Sequence, residues 1–162
     1  MRGVPGDLER TCRTARTVAG ALWLSLGAYL LVAHVLAASH APFNGFAPAE
    51  QRTTLRLLCV ALAVLALGAG RAVRARILAG APALHVAPHR EVSEMAQRLF
   101  TATLIALGLW EAVAALGFAG FLLTGRLLDL YVFVAVAAAG LAVSFPRYSR
   151  WEAFAAGRRV TP

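Results

Sequence analysis

Glu111 is the residue whose type and position most invite chemistry. It stands in "LIALGLWEAVAALGFAGFLL", residues 104–123, as the only charge in twenty residues. In a helix immersed in hydrocarbon, an acid near the centre costs at least ~2.5 kcal/mol even on insertion scales. Such residues face a bundle interior and mark ion pathways or proton relays. Low-dielectric surroundings favour the neutral acid over the carboxylate, and a carboxyl that can pass between the two forms is what a reversible proton carrier needs. The competing reading is structural. A buried carboxyl can also join helices by hydrogen bonds, here through Ser25, Tyr29 or Tyr131.

The other polar residues carry weaker signals. Trp110 lies too deep for an interfacial aromatic belt and reads as packing, whereas Trp23 and Trp151 stand where such belts form. His34, near the outer end of the first apolar run, reads as a solvated or hydrogen-bonded side chain; with His40 it could also respond to pH. Asp129 opens the last apolar run beside Arg126, a place where an acid complements a helix N-terminus. Cys12 lies in a polar segment and Cys59 in an apolar one, with no C-x-x-C spacing, so neither a disulfide nor a metal site is expected. The chain has no P-loop, nucleophile elbow, H-E-x-x-H or paired carboxylates, so it reads as neither an enzyme nor a cofactor protein.

The elements that must position Glu111 follow from composition. Of 162 residues, 59 % are apolar and 15 % charged, against ~25 % charged in soluble domains. The apolar residues form four runs at about 17–38, 53–72, 99–124 and 127–145. Each is long enough to cross a ~30 Å hydrocarbon layer as a helix, and none alternates as a barrel strand would. The first run exceeds the apolar core of a signal peptide and is read as a retained helix. Pro42, Asn44-Gly45 and Pro48 make 39–52 a loop, Pro82 and Pro88 break the polar segment 73–98, and "TGRLLD" is a tight turn. There is no internal repeat. The expectation is one all-α integral membrane domain, a four-helix bundle.

All sixteen basic residues are arginines. Thirteen lie in the N-terminal tail, the stretch from Arg71 to Arg98 and the C-terminal tail, against Arg52, Arg56 and Arg126 on the other side. That asymmetry predicts both termini in the cytoplasm. It also explains the net charge of +8 without nucleic acid, because the arginines flank apolar runs. Arg71, Arg74 and Arg76, with Trp151 in the tail, are expected to meet lipid headgroups. On the third helix, Gly108, Ala112, Ala115 and Ala119 fall on one face, where another helix could approach closely, with Glu111 beside that face.

The stretch "LFTATLIALGLWEAVAALGFAGFLL" resembles the carboxylate-bearing helix of the proteolipid c subunit of rotary ATP synthases. The likeness rests on Glu111 followed by Ala112, Ala114 and Gly117, with Gly68 and Gly70 of "LALGAGRA" echoing the preceding helix, and covers about residues 68–123. The whole chain looks like small bacterial four-span membrane proteins that share such a helix. The resemblance implies a bacterial inner-membrane location, proton binding at Glu111, and contact with other membrane helices, either in a homo-oligomer or in a partner subunit. A non-transport accessory or scaffold subunit is the alternative.

Overall fold

The structure, a computed structural model, describes residues 4–78 and 94–155. Those residues are helical apart from short links and contain no strand. Helix α1 is Val4–Ser39, α2 is Arg52–Leu78, α3 is Glu94–Thr124, α4 is Leu127–Ser144, and a short α5 is Tyr148–Ala155. The first four are long and apolar enough to cross a membrane, the pattern of a multi-pass membrane protein. Even α4, with 18 residues, reaches ~27 Å. The segment expected to be polar from 73 to 98 is shorter than that at both ends, since α2 runs on to Leu78 and α3 begins at Glu94. Residues 79–93, with Pro82, Pro88, Arg90 and Ser93, lie outside the described residues.

Helix α3 is the hub. It packs against α1, α2 and α4 along its length and touches α5 at its start. Helix α1 also meets α4 and α5, but among the described residues it makes no backbone approach to α2, and α2 makes none to α4. The core follows from this: Phe121, Leu107, Val113 and Ala114 of α3 pack with Leu26 and Ala33 of α1 and with Leu130, Ala137 and Leu141 of α4. The opposite faces of α1, α2 and α4 expose large apolar side chains, such as Leu24 (78 %), Leu65 (67 %) and Val143 (73 %). Outward-facing residues of this kind match a hydrocarbon surround and would be costly in water.

Small residues set the closest contacts. The indole of Trp110 lies on Gly140 of α4, where a Cβ would overlap the ring, and its Nε1 donates to Ser144 Oγ at 3.0 Å. Gly117 similarly makes room for Phe133, and Gly70 for Leu109. At the α3–α4 turn, Gly125 has φ +76°, an α-left conformation that favours glycine and ends α3. Gly45, in the α1–α2 loop, has the same φ, and a Cβ there would strike the backbone of 123–125. The loop therefore sits directly on the end of α3. Phe46 N and Ala47 N donate to the carbonyls of Leu122 and Leu123, two groups that a helix C-terminus leaves unpaired. Phe43 adds a ring contact with Phe121 at 5.2 Å.

At the opposite end of the bundle a second small core forms. Trp151 of α5, 5 % exposed, packs with Cys12 and Ala15 of α1 and Leu99 of α3. Arg16 Nε donates to Pro146 O at 3.1 Å across the same junction. Trp151, expected among headgroups, is thus an internal contact. The turn at Pro146 folds α5 back onto α1, and burial of the ring outweighs its interfacial preference.

Candidate functional site

Glu111 is half-buried on the face of α3 that meets α1. Its Oε1 lies 2.7 Å from Ser25 Oγ and 2.8 Å from Tyr29 OH. Those two residues are four apart, hence one above the other on the same face of α1. Tyr29 is held in turn by a stacked contact with Phe118 at 5.2 Å. Oε2 is buried and has no hydrogen-bond partner among the described residues.

Counting hydrogens sharpens this geometry. Ser25 Oγ also lies 2.7 Å from Leu22 O. A hydroxyl carries one hydrogen, and a backbone carbonyl can only accept. With an ionised Glu111, one of the two 2.7 Å contacts of Ser25 has no hydrogen between its oxygens. With a proton on Oε1, both are satisfied: Oε1–H donates to Ser25 Oγ, Ser25 donates to Leu22 O, and Tyr29 donates to Oε1.

The structure therefore brings two of the three expected hydroxyls to Glu111. The third, Tyr131, is elsewhere: its OH lies 2.8 Å from His34 Nε2. His34 Nδ1 lies 2.7 Å from Leu30 O, so Nδ1 must be the donor there. In the neutral ring Nε2 then accepts the Tyr131 hydroxyl. This pair ties α1 to α4 near the C-terminal end of α1.

Among the described residues, no second helix packs closely on the small-residue face. Gly108 and Ala112 are exposed, and Ala115 and Ala119 are half-buried, in the angular gap between α1 and α2. A Cβ on Gly108 would meet nothing within 4 Å. Arg71 and Arg76 are exposed on the last turns of α2, and Arg74 belongs to the same stretch of helix.

One interaction escaped the sequence reading. Asp129, in the first turn of α4, pairs with Arg56 of α2, Nε to Oδ2 at 2.9 Å. The N–H is not aligned with Oδ2, so the contact is a charge pair without a well-formed hydrogen bond. The Asp129 side chain is 11 % exposed and that of Arg56 45 %. Depth could have found it: both residues stand within two turns of the N-terminal ends of their helices, and opposite charges at equal depth in apolar surroundings seek each other. Among the described residues, no three His, Cys, Asp or Glu come together as a metal-ligand set, and both cysteines are free.

Compared with known protein families, with curated proteins and with solved structures, the chain matches none.

Proposed function

We propose that this chain is a bacterial inner-membrane protein, with both termini cytoplasmic, in which Glu111 binds and releases a proton at the α1–α3 seam. The observation that carries the reading is the pair of 2.7 Å contacts at Ser25 Oγ, to Glu111 Oε1 and to Leu22 O, which a protonated carboxyl satisfies and an ionised one does not. The bias of thirteen arginines against three supports the orientation.

The same hydroxyls serve both charge states. When the proton leaves Oε1, Ser25 turns its hydrogen from Leu22 O to the carboxylate, and Tyr29 continues to donate. Oε2, without a partner, then shares a full negative charge. That form is costly in an apolar seam, so release is coupled to a small separation of α1 from α3 or to contact with another helix. The exposed Gly108 and Ala112 leave room for such a helix, from a second copy or a partner subunit. The alternative is an accessory or scaffold protein in which the hydroxyl–carboxyl contacts serve only to hold α1 on α3; the distances of Ser25 Oγ and Tyr29 OH from Oε1, 2.7 and 2.8 Å, favour it.

Dicyclohexylcarbodiimide modifies protonated carboxyls in apolar surroundings and separates the two readings. Modification at Glu111 that fades as pH rises, with proton flux in liposomes lost in Glu111→Gln, is the expected result. An unmodified Glu111, with flux unchanged in Glu111→Gln, would refute proton carrying. Loss of assembly in Glu111→Gln without any flux in the parent would leave the scaffold reading standing.

A further inference from the structure

The attachment of α2 differs from that of every other long helix. Its backbone packs on α3 alone among the long helices. The outer part of that contact is made of small side chains: Ala63 is buried, and Cys59 Sγ lies 3.7 Å from where Gly120 would carry a Cβ. Small side chains bury little area and give little dispersion attraction. Two features supplement this contact at the outer end. The α1–α2 loop is bonded to the end of α3 through Phe46 and Ala47, and Arg52 Nε donates to Ala47 O at 3.2 Å. One turn further on, Arg56 reaches past α3 to Asp129 of α4. Between α2 and the α3–α4 hairpin lies a small cavity, lined by Arg56, Cys59, Gly120, Thr124, Asp129 and Phe133 among others.

We propose that the Arg56–Asp129 ion pair is a latch. The docked loop fixes one point of α2 and acts as the pivot; the ion pair fixes a second point and with it the rotation of α2 about α3. With one point left, α2 rolls or tilts on the loop, the cavity opens, and Cys59 becomes accessible. The geometry needs both charges. Without Arg56, Asp129 is an uncompensated charge in a mostly buried place; without Asp129, the guanidinium, already half-exposed, is free to turn outward. This mechanism is independent of Glu111, which faces α1 on another side of α3.

Cys59 is a native reporter, 8 % exposed beside the latch, and Cys12, 2 % exposed at the opposite end of the bundle, is the control. The test is the rate of N-ethylmaleimide modification at each cysteine, resolved by peptide mass spectrometry, on the full chain in proteoliposomes. Asp129→Asn and Arg56→Gln should each speed modification of Cys59 by about tenfold, the factor that ~1.4 kcal/mol gives in the open population, with Cys12 unchanged. The charge-exchanged double variant, Arg56→Asp with Asp129→Arg, should return Cys59 to the parental rate. An unchanged Cys59 rate in both single variants overturns the latch. So does equal acceleration of Cys12, which would mean that the pair stabilises the whole fold, and so does a charge exchange that fails to restore protection.

Discussion

Removing the two hydroxyls that contact Glu111 gives a measurable account of the α1–α3 seam. In Ser25→Ala and Tyr29→Phe, Oε1 loses one partner and keeps the other. Interhelical hydrogen bonds between transmembrane helices average ~0.6 kcal/mol in double-mutant cycles and reach ~1.7. Each single variant should therefore cost about 0.5–1 kcal/mol. In the double variant both carboxyl oxygens are bare, because Oε2 has no partner to begin with. Leaving a buried polar group unsatisfied costs about 1–3 kcal/mol, so the double variant should lose about 2–3 kcal/mol, more than the singles combined. Replacing the carboxyl as well, in Glu111→Leu with Ser25→Ala and Tyr29→Phe, removes the unsatisfied group and should recover most of the loss. The assay is reversible unfolding in mixed micelles of increasing sodium dodecyl sulfate, followed by far-ultraviolet circular dichroism. Strictly additive single effects, each near zero, would refute the idea that Glu111 is held by α1; so would a triple variant no better than the double.

Two glycines of the hairpin should respond oppositely. Gly140→Ala displaces the Trp110 indole and should cost about 1–3 kcal/mol by overpacking, whereas Gly108→Ala, with open space around it, should be neutral or stabilising by up to ~1 kcal/mol; the same unfolding assay reads both. Gly45→Ala places a Cβ against the backbone at 123–125 in an α-left conformation, and should raise amide hydrogen exchange at Phe46 and Ala47 as their bonds to Leu122 and Leu123 are lost. Trp151→Ala should cost about 3–5 kcal/mol if the inner core contributes fully to the fold, and should expose Cys12 to maleimide while leaving Cys59 protected.

The four helices were legible because hydrocarbon-length apolar runs leave little choice of structure. The faces were not, for the same reason. Helix α3 is apolar nearly all round, so its sequence names no preferred side, and the face of Gly108, Ala112, Ala115 and Ala119 could be read as a seam although the actual close approaches use Gly117 and Gly120 instead. Glu111 was legible as an isolated acid, and its three possible partners could be named. Depth chooses among them: Ser25 and Tyr29 lie mid-span on a helix that runs parallel to α3, whereas Tyr131 lies at the start of α4. Asp129 had a sufficient local explanation as an acid at a helix N-terminus, and Arg56 counted only in the charge asymmetry. Neither reading pointed to a contact between residues of different hairpins. The packing of Trp151 was not legible, because nothing in its neighbourhood announces that α5 turns back at Pro146 onto α1.

Among the described residues α1 and α2 make no close backbone approach, and this bears on the order of assembly. A chain made from its N-terminus presents these two helices first, yet as neighbours in sequence their described residues pack on α3 and not on each other. Ser25 and Tyr29 then have no carboxyl to meet, Arg56 has no counter-charge, and the outer loop has no helix end to cap. Each of these is supplied by α3 or α4. The early half of the chain is thus a pair of separate helices awaiting a template, and α3 is the piece whose arrival turns them into a fold.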